Sequence, residues 1–139
     1  MKFSTNASLI LLAAMLLAAC GAKTSDESQV RALIDAVETA AEARDASEVL
    51  EHVADDYADS RGLDKTQLRN LLRGYFLAHP GLELVVNIES LHFPVDGLAQ
   101  AVLTVTTVEL TDPNRQRLKV EFRRSGSGWQ VVRADRVGR

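Results

Sequence analysis

The sequence predicts a single α+β domain in which three N-terminal helices pack against a four-stranded antiparallel sheet. Apolar residues recur at helical spacing up to Pro80 and alternate with polar residues after it. Turn-forming residues then divide the C-terminal part into four strands: Asp96-Gly97, Asp112-Pro113-Asn114 and residues 125–128. Helices followed by a run of antiparallel strands are typical of the α+β class.

The three helices are predicted from their first turns. Each start has an acceptor residue followed three positions later by Glu or Gln, the spacing of a capping box: Thr24 with Glu27, Asp45 with Glu48, and Asp64 with Gln67. Pro80-Gly81 ends the third helix, because proline cannot continue the hydrogen-bond ladder and glycine tolerates the exit turn.

The strands are predicted from alternation with a period of two. The inward row of the first strand is Leu82, Leu84, Val86, Ile88 and Ser90, and His92 continues it. In the third strand Leu118, Val120 and Phe122 face inward, whereas Arg117, Lys119 and Arg123 face outward. Trp129 begins the last strand.

The first 19 residues have the pattern of an export signal. Lys2 supplies a positive charge, and a mostly apolar run over residues 7–19 follows it. This run is shorter than the roughly 20 residues that span a bilayer core. A signal peptide is therefore a better interpretation than a transmembrane helix.

Cys20 is the only cysteine in the sequence, and it directly follows Leu17-Ala18-Ala19. These four residues resemble the lipobox of bacterial lipoproteins. The resemblance implies that the signal is cut before Cys20 and that Cys20 carries acyl chains such as palmitate, which insert into a lipid bilayer. Gly21 in place of Asp implies the periplasmic face of the outer membrane. An ordinary export signal with a chance cysteine is the alternative.

The predicted domain boundaries follow from the signal peptide and from Cys20. Residues 1–19 are the signal peptide, residues 20–27 the lipidated N-terminus and tether, and residues 28–139 one folded domain. With Cys20 lipidated, the mature chain has no thiol for a disulfide, a zinc-thiolate site or a cysteine nucleophile.

Charge is divided unevenly along the mature chain. Residues 20–114 hold 7 Lys and Arg against 17 Asp and Glu, whereas residues 115–139 hold 8 against 2. One interpretation is that the acidic helical half lies against the basic hairpin within the molecule. The other is that Arg117, Lys119 and Arg123 form a basic face that binds an anionic envelope surface. We favour the first, because charged faces are commonly solvated, and we expect no nucleic-acid partner.

The order of elements resembles the nuclear transport factor 2-like superfamily, which includes SnoaL-like and cystatin-like domains. The features that match are a long helix, a short helix ending in VADDYADS, a third helix, and four strands that close on a Gly-Trp hairpin. The resemblance covers about residues 28–136. It implies a curved sheet that wraps the helices into a cone, whose interior is a ligand pocket or a filled core. The family's strand pair between the second and third helices should be reduced or absent here. A domain of another lineage with the same elements is the alternative.

Enzymes of this superfamily, such as ketosteroid isomerases, polyketide cyclases and dehydratases, hold an acid or a histidine in the cone. The resemblance implies that Asp59, two residues after Tyr57, is nearest to their first acidic position. We favour another interpretation, in which Tyr57 packs under the sheet while Asp59 caps backbone N–H groups and faces water.

The three histidines offer one further candidate. His92 could reach the mouth of the cone, near Tyr75 and Trp129, although a capped histidine at a strand end is the interpretation we favour. His52 is expected to be exposed, and His79 to lie at the C-terminus of a helix, where a cation is favourable. Their spacing matches no metal-ligand pattern, so we expect no metal and no cofactor.

Three functions are consistent with the sequence. We favour a non-catalytic envelope lipoprotein that binds a small apolar ligand or an envelope protein, with a candidate pocket formed by Tyr57, Asp59, Tyr75, His92 and Trp129. An enzyme that uses Asp59 and His92 is the second, and an electrostatic adaptor with the basic face is the third. The export signal weighs against chemistry on cytoplasmic metabolites. The charged outer sheet face predicts a monomer or a weak dimer.

Overall fold

The computed structural model of the protein describes residues 25–109 and 112–138. These residues form three helices and one four-stranded sheet. The helices are α1 (Asp26–Glu42), α2 (Ala46–Glu51) and α3 (Lys65–Ala78). The strands are β1 (Glu83–His92), β2 (Leu98–Glu109), β3 (Asp112–Ser125) and β4 (Gly128–Arg136). The α+β class predicted from the sequence is confirmed.

The predicted signal peptide and Cys20 lie outside the described residues. Within the described part, no helix is both long enough and apolar enough to cross a membrane. The first helix is capped by Ser25 rather than by Thr24, because the Ser25 hydroxyl accepts the free N–H of Ser28 at 3.2 Å. Since α1 begins at Asp26, the last two residues assigned to the tether belong to the helix.

The caps of α2 and α3 form as predicted. Asp45 accepts the N–H of Glu48 at 3.0 Å. Asp64 and Gln67 make a reciprocal capping box, with distances of 2.8 and 2.9 Å. Helix α3 ends two residues before Pro80. Each cap pairs an N–H group that has no partner within its own helix, a contribution of about 1 kcal/mol.

The sheet is an antiparallel meander in the order β1-β2-β3-β4. Two bulges interrupt its pairing. One inserts Glu89 into β1 between Ile88 and Ser90, and the other inserts Val132 into β4 opposite the junction of Glu121 and Phe122. A bulge bends its strand and increases the twist. It also exchanges the faces to which the following side chains point.

Strand β3 begins earlier than predicted. Asp112, Pro113 and Asn114 were expected to form a turn, but they pair with residues 107–109 of β2. Residues 110 and 111, between β2 and β3 in the sequence, lie outside the described residues. Proline lacks an N–H donor and is tolerated near the first residue of a strand, which is where Pro113 lies.

The core lies between the helices and one face of the sheet, here called the inner face. Val30 of α1, Leu50 of α2 and Phe122 of β3 are its largest fully buried side chains. Ala99 and Ala101 of β2 are each 1 % exposed, and their small side chains allow the helices to approach the sheet. Burying one large apolar side chain contributes about 1.5–3 kcal/mol.

The strand pair expected to be reduced between α2 and α3 is reduced to single bridges in the described part of the chain. Ala58 makes one antiparallel bridge with Asp64. Val53 makes one parallel bridge with Val131 of β4. The segment between the two helices therefore lies against the β4 edge of the sheet.

The turn between α1 and α2 contains a strained residue. Arg44 has a φ of 55°, in the left-handed region that costs a residue with a Cβ about 1–2 kcal/mol. Its N–H bonds to the Ala41 carbonyl, and the N–H of Asp45 bonds to the Ala40 carbonyl, both at 2.9 Å. This pair of bonds is the Schellman C-cap, whose left-handed position glycine usually occupies.

A glycine at this position is expected to stabilise the fold. Arg44→Gly should raise the free energy of unfolding in urea by about 0.5–1 kcal/mol, because it relieves the strain but adds freedom to the unfolded chain. Arg44→Ala is the matched control, since it removes the side chain but keeps the Cβ, and it should change stability by less than about 0.5 kcal/mol. Equal gains from both variants would contradict the backbone explanation.

Candidate functional site

A cavity, here called the inner cavity, lies between α3 and the inner face of the sheet. Its volume is about 370 Å³, and small-molecule sites typically measure about 300–1,000 Å³. Leu71 and Tyr75 of α3 are 45 % and 39 % exposed, so they mark the side on which the cavity opens to solvent. Most of the wall is apolar and includes Val37, Leu68, Leu72, Leu84, Val105 and Leu118.

A second depression lies outside the core, between the α1–α2 turn and the end of α3. It measures about 670 Å³ and is lined partly by Arg44, Asp45, Arg73 and Leu77. It contains none of the residues predicted for a pocket. The inner cavity is the better candidate site despite its smaller volume, because an apolar wall with a few convergent polar groups is typical of ligand sites.

Polar side chains line the inner cavity toward the β2–β3 connection. They include Arg61, Thr107, Gln116 and Arg136. The last three lie on the inner face, because each pairs with an inward-facing apolar residue of the neighbouring strand and cross-strand partners share a face. Among the described residues, no Asp or Glu lines the cavity.

Asp59 is the one buried charged residue in the described part of the chain, at 8 % exposure. Its Oδ1 accepts the backbone N–H groups of Arg61 at 2.9 Å and Leu63 at 3.1 Å. Its Oδ2 accepts the Tyr57 hydroxyl at 2.9 Å and lies 3.6 Å from the Arg61 guanidinium. These contacts fold residues 59–63 into a turn, here called the Asp59 turn.

The Asp59 carboxylate positions two residues of the cavity, although Asp59 itself does not line it. Tyr57 and Arg61 both contribute to the cavity wall, and both are held by the Asp59 carboxylate. The contacts agree with the interpretation that Asp59 caps backbone N–H groups. Asp59 is nevertheless buried rather than facing water, because its donors satisfy the carboxylate inside the fold.

The Tyr57 hydroxyl donates a hydrogen bond to Asp59 at 2.9 Å. Burial raises the pKa of Tyr57 far above its ordinary value, and the hydrogen bond to the Asp59 carboxylate raises it further. The hydroxyl therefore stays protonated at physiological pH. With its proton directed at Asp59, it offers a ligand only acceptor lone pairs.

The segment that carries the Asp59 turn is tied to the edge of the sheet. The N–H of Ala54 donates to the Val131 carbonyl at 2.9 Å. The N–H of Ser60 donates to the Asp135 carboxylate at 2.8 Å. These bonds cover part of the β4 edge, which would otherwise present unpaired backbone groups. They also fix the cavity wall formed by Tyr57.

Asp135 stays ionised in this link. Burial opposes its charged form, but hydrogen bonds from Ser60 and from Arg133 outweigh burial and lower the pKa of Asp135 to about 2. The group is ordinarily half-protonated near pH 3.8. Its contribution to stability is therefore present above that pH and is lost as the pH falls toward 2.

His92 lies on the outer face, so the expectation that it continues the inward row of the first strand is wrong. The bulge at Glu89 shifts the alternation, so that Leu91 is half-buried whereas Ser90 and His92 are exposed. An inserted residue exchanges the two faces of the strand beyond it. His92 pairs with Gln100 and does not reach the cavity that Tyr57 lines.

Tyr75, on α3, and Trp129, on β4, have different surroundings. Tyr75 lines the inner cavity, and its ring centroid is 4.3 Å from that of His79. Trp129 is buried against Phe93, with ring centroids 5.8 Å apart, and Arg124 lies 5.1 Å above its ring. Of the five pocket candidates, Tyr57 and Tyr75 therefore line the cavity, Asp59 holds Tyr57, and His92 and Trp129 do not line it.

The predicted basic face is largely paired within the molecule. Arg117 forms a bidentate ion pair with Glu89, and Arg123 forms one with Asp56, each with a shortest distance of 2.7 Å. The hydrogen bond from Arg123 lowers the pKa of Asp56. Lys119 is exposed. The interpretation in which acidic and basic parts of the chain meet inside the molecule is supported by these pairs.

Sequence reasoning missed the two arginines of the cavity. Uninterrupted alternation from Trp129 would place Arg136 on the outer face. The bulge at Val132 moves it to the inner face, opposite Leu118. Arg61 lies in a turn, and nothing in its neighbourhood of the sequence indicates that its side chain lines a cavity.

Comparisons with known proteins support the fold. No protein-family profile and no curated protein matches this sequence. A cystatin-like domain of unknown function from Nostoc punctiforme shares 15 % identity, with a TM-score of 0.71 over 84 % of this chain and 79 % of that chain. A nuclear transport factor 2-like protein of unknown function from Pseudomonas putida shares 23 %, with a TM-score of 0.69 over 86 % and 90 %. The fold is therefore nuclear transport factor 2-like, or cystatin-like, as predicted.

The Asp59 turn is expected to be a major source of stability. Asp59→Ala should lower the free energy of unfolding by about 3 kcal/mol or more, because it leaves the Tyr57 hydroxyl and two backbone N–H groups unpaired. Tyr57→Phe, which removes one donor, should cost about 1–2 kcal/mol. Urea denaturation measures both.

Asp55→Ala is the matched control for Asp59→Ala. The Asp55 side chain is fully exposed and forms a surface ion pair with Lys65, so its loss should cost less than about 1 kcal/mol. A cost for Asp59→Ala no greater than that for Asp55→Ala would refute the structural role of the buried carboxylate.

Proposed function

We propose that this protein is a membrane-anchored envelope lipoprotein whose domain binds a small, mainly apolar ligand in the inner cavity. The observation that carries the proposal is the cavity itself, with a volume of about 370 Å³ and an apolar wall. An open apolar cavity leaves van der Waals contacts unmade, and a ligand of matching shape restores them. This favours a small ligand over a protein partner as the occupant.

The proposed binding is non-catalytic. Both oxygens of Asp59 already accept hydrogen bonds from Tyr57 and from backbone N–H groups, so the carboxylate is poorly placed to take a proton from a substrate. His92, the residue paired with it in the enzyme hypothesis, lies on the outer face. An adaptor that uses the basic face is also disfavoured, since Arg117 and Arg123 are committed to Glu89 and Asp56.

The membrane anchor rests on the lipobox-like residues that end in Cys20. Two acyl chains suffice for stable attachment to a bilayer. Apolar molecules concentrate in bilayers, so a domain tethered at the membrane surface is close to its source of ligand. The anchor and the apolar cavity are therefore consistent with one activity at the envelope.

A photoreactive, uncharged dodecanol that carries a diazirine tests the cavity in the full-length protein held in phosphatidylcholine vesicles. We expect adducts on residues of the inner cavity in the wild type. Val105→Trp should reduce them about tenfold or more, because it fills the cavity from the inner face of β2.

Val102→Trp is the matched control, since Val102 lies on the outer face of the same strand and pairs with Lys119. It should leave labelling within about twofold of the wild type. Thr107→Trp, on the same face of β2 as Val105, provides a second cavity-filling variant in case Val105→Trp does not fold. Labelling that persists in the two cavity-filling variants as it does in the control would place the bound alcohol outside the inner cavity and contradict the proposal.

The anchor has a separate test. Cells given an alkyne-tagged palmitate should incorporate it into the wild-type protein and not into Cys20→Ser, because only the thiol forms the thioether. The wild type should sediment with the membranes and the variant should not. A Cys20→Ser protein that remains in the membrane fraction after a high-salt wash would show that something other than acylation holds it there.

A further inference from the structure

Two arginines line the polar end of the inner cavity. Arg61 extends from the Asp59 turn, and Arg136 extends from the last position of β4. Among the described residues, no carboxylate lines the same wall. A cavity with charges of one sign and low-dielectric walls raises the local concentration of the opposite ion. The lining therefore favours an anion over a cation or a neutral polar group.

Arg136 has no ion-pair partner among residues 25–109 and 112–138. This distinguishes it from three arginines of the outer face, since Arg117, Arg123 and Arg133 each bind a carboxylate. Its cross-strand neighbour is Leu118, an apolar residue of the cavity wall. An arginine beside an apolar wall lays its methylene groups along that wall and keeps its charged group at the edge. No described residue occupies the five N–H donors of its guanidinium with a hydrogen bond or an ion pair.

Asp59 holds Arg61 in position but does not use up the hydrogen-bond donors of its guanidinium group. Its Nη2 lies 3.6 Å from Asp59 Oδ2, and its side chain is 50 % exposed. That contact is an ion pair longer than a hydrogen bond, so it orients the guanidinium without using up its donors. Asp59 offsets one of the two positive charges at this end of the cavity. A positive charge therefore remains at the polar end of the cavity, which favours an anionic group there.

We infer that the ligand of the inner cavity is a single-chain amphiphile whose anionic head group is bound by Arg61 and Arg136. The inference rests on the proposed function, since it assigns the polar end of the ligand that the cavity is proposed to hold. The apolar chain lies between α3 and the inner face, and the head group lies toward the β2–β3 connection. Planar guanidinium groups bind carboxylates and phosphates through paired hydrogen bonds, so the head group is one of these two.

Competition against the photoreactive dodecanol tests this inference on the full-length protein in phosphatidylcholine vesicles. Four competitors share one chain length: dodecanoate, dodecyl phosphate, dodecanol and dodecyltrimethylammonium. For at least one of the two anions, we expect the concentration that halves labelling to be about tenfold lower than for dodecanol. The cation should compete least. The anion that competes better identifies the head group as carboxylate or phosphate.

The double variant Arg61→Gln with Arg136→Gln should bring the better anion within about twofold of dodecanol, while dodecanol itself competes as in the wild type. The double variant Arg115→Gln with Lys119→Gln removes the same charge from the outer face and should keep the preference. Thermal melts of both double variants verify that they fold.

The outcomes separate this inference from the function on which it rests. Anions that compete no better than dodecanol in the wild type would overturn the inference and leave an apolar ligand in place. The inference is also overturned if the anion preference survives the loss of Arg61 and Arg136, or disappears equally in the outer-face variant. If the photoreactive alcohol labels no residue of the inner cavity, the proposed function itself fails.

Discussion

The carboxylate of Asp59 is the contact on which the candidate site depends. A buried carboxylate is tolerated only when hydrogen-bond donors replace the water it has lost. Here the donors are the Tyr57 hydroxyl and the N–H groups of Arg61 and Leu63, all within 3.1 Å. The need to satisfy one charge therefore fixes the turn, the tyrosine that forms part of the cavity wall, and the arginine at the cavity's polar end. A change at Asp59 should disturb all three together.

The two ends of the inner face have different chemistry. At one end Arg124 binds Asp26 at the start of α1 and Asp96 before β2, and it covers the ring of Trp129. These contacts tie α1 and the β1–β2 loop to the sheet, so this end is closed. At the other end Arg136 has no ion-pair partner among the described residues. The closed end stabilises the fold, and the other end is where we propose that the head group of the ligand binds.

The parts of this structure that depend on local sequence could be predicted from it. The cap of α3 needs only Asp64 and a residue three positions later, and Pro80 ends the helix through its own ring. The four strands follow from alternation and turn residues. The reach of β3 to Asp112 was not predictable in this way, because it depends on pairing with β2 rather than on the turn preference of Asp112-Pro113-Asn114.

The arrangement of the site was less predictable, because two bulges decide it. Without the bulge at Glu89, His92 would face inward, and without the bulge at Val132, Arg136 would face outward. A bulge arises from the pairing of one strand with another, so a single strand's sequence does not reveal it. The burial of Asp59 was missed for a related reason, since it depends on Tyr57 and on the packing of the turn against β4.

Xenon binding to crystals of the protein would test the central claim, an open apolar cavity between α3 and the sheet, most directly. Xenon enters apolar cavities that stay free of ordered water. We expect a xenon atom beside Leu72, Val105 and Leu118, with the Tyr57 hydroxyl still bound to Asp59. A space filled by the side chains of α3, with no xenon at the inner face, would contradict the claim.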